Sequence, residues 1–381
     1  VNDDDEIDRL ILELHATGAP AQGSGDLARI EGWLRLLASR NGSDLLLVGG
    51  APPSIRVDGR VLPLAEGPLD GVDIEDAVLA ALPPHARRIY RDAHIADASF
   101  RIGGVGRFRI NLHRERGRAA AAIRLLPSRV PRLNTLGLPP SIELLAQLPR
   151  GLVLIGGPTG SGKTTTLAAL VDAINRREAR HIVTIEDPIE YEHQHHGSVI
   201  EQVEIGVDAP DFPTALRAAV RQAPDVIVVG EMRDPETMRI ALAAAETGHL
   251  VLSTLHTTDV ASTVSRIADS FPSERQNTIR QELAMAVAAV MTQTLLPRVG
   301  GGIVPAAELL VVSYGARQHI RRNALQHLHQ EITITRRHGS FTFEESLARL
   351  VKDGLVDWRD AHSRAAHIDE FEQLAPATPP H

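Results

Sequence analysis

The run Gly157-Pro158-Thr159-Gly160-Ser161-Gly162-Lys163-Thr164 has the spacing G-x-x-x-x-G-K-[ST]. Glycines at these positions let backbone N–H groups converge on anionic oxygens, and a helix starting near Lys163 would add the positive potential of its N-terminus. The Lys163 ammonium suits the β- and γ-phosphates, and the Thr164 hydroxyl suits Mg²⁺. ATP with Mg²⁺ is the expected ligand, with Thr165 joining the loop residues in holding it. Hydrolysis needs acidic groups beside that loop. Glu186, within Ile185-Glu186-Asp187-Pro188-Ile189-Glu190, follows one apolar run, and Glu231 follows another, Val226–Gly230. One carboxylate could activate the attacking water while the other holds Mg²⁺ through its hydration shell, and the residues alone leave the two jobs open. The aspartate usual at the end of such a strand is replaced by Gly230-Glu231. His249 and His256 bracket the apolar run Leu250-Val251-Leu252, so both are not expected on one phosphate. His193, His195 and His196 lack a regular ligand spacing and read as a solvated loop. Arg217 and Arg221, one helical turn apart, read as helix-surface groups.

These groups need a scaffold that brings strand ends together. Leu152-Val153-Leu154-Ile155, Ile182-Val183-Thr184-Ile185, Val226-Ile227-Val228-Val229 and Leu250-Val251-Leu252 are short continuous apolar runs, the mark of parallel strands buried on both faces. Leu167, Leu170, Val171 and Ile174 recur at helical spacing between the first two. An α/β nucleotide-binding core over residues 149–312 follows. Before it, residues 27–130 alternate apolar and polar residues and predict a smaller α+β domain. Two paired strands are expected between Asp44 and Leu64 around Asp58-Gly59, with further strands at Phe100–Ile102, Phe108–Asn111 and Ala121–Leu125. Pro131, Pro139 and Pro140 suggest a linker over 131–148 that can act as a hinge. Residues 1–26 read as an N-terminal tail or helix, 313–370 as a helical C-terminal region and 371–381 as a disordered tail.

Composition narrows the class. The chain has 381 residues, 43% hydrophobic and 23% charged, enough for two cores. It has no cysteine, which excludes disulfides, iron–sulfur clusters, thiolate zinc sites and cysteine nucleophiles. A net charge of −8 argues against a general nucleic-acid partner. The acidic opening Val1-Asn2-Asp3-Asp4-Asp5-Glu6 is unlike an export signal, and the longest apolar stretch, Leu283 to Met291, is far short of the roughly 20 residues of a membrane span. A cytoplasmic protein that meets membranes only through partners is expected.

Taken together, the stretches resemble the type II/IV secretion-system ATPase superfamily over residues 40 to 365. The phosphate loop corresponds to its Walker A box, and Thr184-Ile185-Glu186-Asp187-Pro188-Ile189-Glu190 to its aspartate box. Arg221 through Asp234 corresponds to its Walker B box, and Ala245 through His256 to its histidine box. The resemblance implies a hexameric ring, a PAS-like N-terminal domain and a RecA-like C-terminal domain closing on ATP, and an inner-membrane platform partner at the inner face of that membrane. It further implies Glu186 as catalytic base, Glu231 as the Mg²⁺-linked acid and His256 as γ-phosphate sensor, with His249 a lesser candidate. Arginines of the N-terminal domain are implied to reach the nucleotide, for which Arg109, Arg114, Arg116 and Arg124 are the candidates. Absence of a tetracysteine module, together with Gln293-Thr294-Leu295-Leu296-Pro297-Arg298 and Val304-Pro305-Ala306-Ala307-Glu308, makes the chain similar to the pilus-retraction, twitching-motility branch rather than the assembly and secretion branches. Where that branch has AIRNLIRE, Gly315-Ala316-Arg317-Gln318-His319-Ile320-Arg321-Arg322 agrees only at Arg317, Ile320 and Arg321, which leaves as alternatives an accessory, diverged paralogue and a pilus assembly or type II secretion ATPase.

Overall fold

Strands with one apolar face must bury it against something else, and the N-terminal unit does so with helices. The computed structural model describes residues 23–376. Backbone contacts divide the chain between Ser128 and Arg129. The first unit runs α1 (Gly23–Ser39), β1 (Asp44–Leu47), β2 (Ser54–Val57), β3 (Arg60–Pro63), α2 (Gly71–Ala81), α3 (Pro84–Ala93), β4 (Ile95–Ile102), β5 (Gly106–Glu115) and β6 (Arg118–Leu125). Its antiparallel sheet has the order β3-β2-β1-β6-β5-β4. Leu45, Leu47, Ile55, Phe108, Ile110 and Ile123 meet Ile30, Trp33, Leu34 and Val78 in one core. Three strands, not two, lie between Asp44 and Leu64. The hairpin at Asp58-Gly59 joins β2 to β3, with both turn residues at positive φ (48° and 78°). β1 ends in a turn where Gly50 has a φ of 87° and the Ala51 N–H donates to the Val48 carbonyl, and β1 pairs with β6 as well as with β2.

The second unit holds a sheet of order β13-β12-β7-β11-β10-β8-β9. Its elements are β7 (Gly151–Gly156), α4 (Lys163–Arg177), β8 (His181–Glu186), β9 (Val199–Glu204), α5 (Phe212–Ala219), β10 (Val226–Val229), α6 (Pro235–Glu246) and β11 (Leu250–Leu255). They continue with α7 (Val260–Asp269), α8 (Ser273–Ala286), β12 (Val287–Pro297) and β13 (Ile303–Val311). Every neighbour pair is parallel except β12 with β13. All residues of β7, β10 and β11 are buried, as both faces carry packed helices. The C-terminal helices are α9 (Tyr314–Arg321), α10 (Leu328–Ile334), α11 (Phe343–Lys352), α12 (Trp358–His362) and α13 (Ile368–Leu374). The chain is thus a RecA-like α/β domain preceded by a smaller PAS-like α+β domain and followed by a helical region. Among the described residues, no helix is long and apolar enough to cross a membrane.

Two boundaries differ from expectation. The stretch 131–148 is not a free connector. It forms 3-10 turns at Leu133–Thr135 and Pro140–Gln147, and Ile142, Leu145 and Ala146 pack with Leu167, Leu170 and Ile174 of α4. Proline fixes φ at values such turns accept, while the apolar residues between prolines find a core. The expected tail also starts too early, because Phe371 is fully buried beside Leu347 and Leu350 and Trp358 Nε1 donates to the Ala375 carbonyl at 2.7 Å. Residues 1–22 and 377–381, which hold most of the expected N-terminal segment and the end of that tail, lie outside the described residues.

Gly156, the last residue of β7, has no room for a side chain. A Cβ there would lie 2.5 Å from Thr257 Oγ1, 2.7 Å from Thr263 Oγ1 and 2.8 Å from Thr292 Cγ2. Gly156→Ala is expected to cost roughly 1–3 kcal/mol, read as a lower urea midpoint at unchanged m-value; an unchanged midpoint would mean that the threonine cluster yields freely.

Candidate nucleotide site

The central strand β7 delivers the chain into the phosphate loop, and the loop opens α4 through Gly162, whose φ of 86° only glycine holds without strain. At Gly157 a Cβ would meet the Ser161 hydroxyl and, at 2.5 Å, the Gln293 carbonyl oxygen. Lys163 is 7% exposed, and its Nζ donates to the carbonyls of Gly157 (2.8 Å) and Pro158 (2.9 Å), so the charge stands inside the loop curve. Burial lowers the Lys163 pKa, and nearby Glu231 works in the opposite direction. Ser161 Oγ is buried with no hydrogen-bond partner. An orphaned hydroxyl, a buried ammonium and a cradle too narrow for Cβ atoms fit a phosphate. Thr164 is half-buried with no side-chain partner among the described residues, leaving its hydroxyl available to a hard cation. Thr165 Oγ1 instead lies 3.0 Å from the Tyr191 hydroxyl.

The sequence-separated boxes meet at the same end of the sheet. His256, just past β11, has Nε2 3.2 Å from Glu231 Oε1 and Nδ1 3.4 Å from the Thr159 hydroxyl of the loop. Glu231, just past β10, also accepts from Arg233 at 2.8 Å. Burial opposes ionisation of Glu231, but Arg233 and His256 outweigh it and hold the carboxyl below its ordinary value. An ionised carboxylate and the Thr164 hydroxyl form a donor set suited to Mg²⁺. Glu186, at the end of β8, behaves differently: burial raises its pKa, only partly offset by hydrogen bonds from Thr184 Oγ1 (2.7 Å) and Gln202 Nε2 (3.2 Å). The two acids are thereby pushed apart, one toward proton acceptance and one toward permanent charge.

His249 falls elsewhere. It precedes β11 at the opposite end of that strand, where its Nδ1 sits 2.9 Å from the Ala244 carbonyl at the close of α6. Arg109, Arg114, Arg116 and Arg124 lie in the first unit, where they pair with Asp97 (3.6 Å), Glu75 (3.8 Å), Glu115 (3.0 Å) and Asp44 (2.8 Å). Arg109 and Arg124 are cross-strand partners on β5 and β6. Arg217 pairs with Glu236. The histidine loop has no helix or strand and leaves His195 and His196 exposed, as expected, whereas His193 is partly buried, with its pKa lowered to about 4 by that burial, and His195 Nδ1 accepts from the Ile200 N–H at 3.1 Å.

Sequence reasoning missed Gln293. Its Nε2 donates to the Ser161 carbonyl (2.6 Å) and its Oε1 accepts from Thr166 (2.8 Å), so β12 braces the loop from behind. A glutamine between two threonines inside a mostly buried strand was the available signal. Glu308 on β13 was missed as a site support too. Its Oε1 accepts from the Val260 N–H (2.7 Å) and the Thr292 hydroxyl (3.0 Å), which fixes the start of α7 just past Thr257 and Thr258.

A phosphate loop leaving a buried strand, with acids and a histidine gathered at the ends of its neighbours, defines a RecA-like P-loop nucleotide-binding protein. Residues 77–353 match the model of the type II/IV secretion system protein family, and the chain belongs to that family. It is similar to the type IV pilus retraction ATPase PilT of Pseudomonas aeruginosa, at 40% identity over 89% of this chain and 98% of that one. Similarity to the type IV pilus ATPase PilU of the same organism is 37%, over 90% of this chain and 89% of PilU. Among solved structures, the pilus retraction motor PilT with bound ADP superposes with a TM-score of 0.81 at 40% identity, covering 89% of this chain and 98% of that one. The Legionella pneumophila ATPase DotB superposes at 0.77 with 27% identity, covering 88% and 94%.

Glu308 gives this scaffold a pH signature. Burial raises its pKa from 4.5 to about 7, with Asp259 and Glu344 adding like charge against the bonds from Val260 and Thr292. Between those values the unfolded chain has released a proton that the folded one keeps, so stability falls as pH rises. Glu308→Gln keeps an accepting oxygen and removes the titration. Its stability relative to the native chain is expected to improve by up to about 3 kcal/mol from pH 5 to pH 8, measured by urea unfolding at both; a constant difference would show that Glu308 is ionised throughout.

Proposed function

We propose that the protein is an ATP-hydrolysing motor subunit that drives type IV pilus retraction as a hexameric ring in the cytoplasm, held at the inner membrane by a platform protein. The observation that carries this reading is the link Thr159–His256–Glu231, which joins three boxes at one strand end while Glu186 stands on the neighbouring strand. Similarity to PilT along nearly the whole chain supplies the machine.

ATP with Mg²⁺ supplies the phosphoryl group and the cationic charge that prepares it for attack. Gly157 through Thr165 would hold the phosphates, with Lys163 on the β- and γ-groups and Thr164 and Glu231 toward the metal. Glu186, whose raised pKa suits proton acceptance, takes the proton of the attacking water. His256 reports the γ-position to the loop through Thr159 and to Glu231 through its other nitrogen. Arg109 and Arg124, with Arg114 and Arg116 beside them, are offered to developing phosphate charge.

A second reading, an accessory paralogue of the retraction motor, is favoured by the departure from AIRNLIRE over Gly315–Arg322. In α9 the shared Arg317 donates to the Ala284 carbonyl and, at 2.9 Å, to that of Met285. Both arginines of the motif thus serve the α8–α9 junction, with Arg321 on the Met285 sulfur at 2.8 Å.

Lys163→Ala and Glu186→Gln are each expected to lower steady-state Mg²⁺-ATP turnover by about 100-fold or more, with ring mass unchanged in Glu186→Gln. Turnover unaffected by Glu186→Gln would remove it as the base. Restoring twitching in a strain lacking its retraction ATPase separates the motor from the accessory reading.

A further inference from the structure

A second group of ligating side chains lies in the C-terminal helices. His329 of α10, Glu344 of α11 and Glu370 of α13 each offer one ligand atom, all within 4.8 Å of one another. His329 Nε2 lies 2.9 Å from Glu370 Oε2. The other Glu370 oxygen accepts from the Thr342 hydroxyl (2.9 Å) and Arg336 (3.4 Å). Glu344 is 1% exposed, and its Oε1 accepts from the backbone N–H groups of Ala366 (3.0 Å) and His367 (2.9 Å). Its second oxygen meets no donor, and no cationic side chain pairs with it, among the described residues. The His329 ring is fixed by stacking on His367 at 3.8 Å between centroids.

This arrangement has the form of a metal centre. Each carboxylate has one oxygen held by donors outside the cluster, while the second Glu370 oxygen meets the His329 ring, the outer-sphere pattern that orients metal ligands. A fully buried carboxylate without a counter-charge is costly, and a bound cation offsets that cost. Buried Glu308 faces the same cavity of about 490 Å³, adding negative charge to its wall, while Arg364 lines the cavity without an ion pair to either acid. One imidazole nitrogen with two carboxylate oxygens suits Zn²⁺ or Mn²⁺ better than Mg²⁺ or Ca²⁺, which favour all-oxygen sets.

We propose that His329, Glu344 and Glu370 bind a divalent transition-metal ion, with Zn²⁺ as the first candidate, that cross-links α10, α11 and α13. The site does not depend on the phosphate loop or on the proposed motor activity.

The test is calorimetric titration of the full, chelator-stripped chain with ZnCl₂ in the absence of nucleotide, with visible absorption of the Co²⁺-substituted protein as a second readout. The chain has 17 histidines, so loose binding elsewhere needs a control, and His195→Ala serves. One tight equivalent per chain is expected, weakened about 100-fold or more in His329→Ala and in Glu344→Gln and unchanged in His195→Ala. Zn²⁺ at a hundred times its Kd should raise the native melting temperature by roughly 5 °C or more. Glu370→Gln, at a more exposed ligand, repeats the measurement should Glu344→Gln fold poorly. Absence of a tight equivalent, or equal affinity in the native chain and the folded ligand variants, overturns the proposal; loss that follows His195→Ala does so as well.

Discussion

The amide of Gln293, 4% exposed within β12, is the tie on which the phosphate loop depends. Backbone groups of a tight glycine-rich loop point inward at the ligand, so the loop has few bonds of its own with which to hold shape. Gln293 supplies them from outside, donating to Ser161 and accepting from Thr166 one turn into α4. Because β12 lies beside β7, a shift of either strand would carry loop and helix together. Glu308 performs the matching task for α7, so the starts of α4 and α7 are each fixed by a buried polar side chain on β12 or β13. A buried polar group of this kind costs most when half-satisfied, which makes the two strands a frame and not just added core.

Much of the fold could be read from the chain, for identifiable reasons. Val226–Val229 stands out as a strand because both of its faces are covered and every residue is apolar. β9 escaped notice since it lies at the sheet edge and carries Glu201 and Gln202 among its apolar residues. The run Leu283–Met291 gave no sign of its change of character, yet it leaves helix α8 and enters strand β12 between Ala286 and Val287. At the site, the glycines, Lys163 and Glu231 were visible through spacing. The contact of Thr159 with His256 was not, because only the strand order brings positions 97 residues apart side by side. The separation of His249 from His256 by the length of β11 was legible, because the two flank one apolar run.

The first unit carries its charge in a transverse row. Arg56, Asp44, Arg124 and Arg109 are successive cross-strand partners on β2, β1, β6 and β5. Asp44 is shared by Arg56 and Arg124, and Arg109 leans on Asp97. The Arg56, Arg124 and Arg109 side chains are exposed while Asp44 is largely shielded, so the guanidinium groups are held in place with their outer edges open to solvent. An anion offering bidentate geometry would compete for them at low cost.

The two tryptophans of the chain fall one to each unit. Trp33 is 3% exposed in the first core, with the Arg29 guanidinium 5.1 Å above its ring and its N–H on Glu66. Trp358 belongs to the second unit, stacked on His362 at 4.6 Å and close to Phe371. One indole lies against a guanidinium, the other against an imidazole ring. Each unit therefore contains its own optical probe. Single-tryptophan variants would let the melting of the two bodies be watched separately in one chain, without labels.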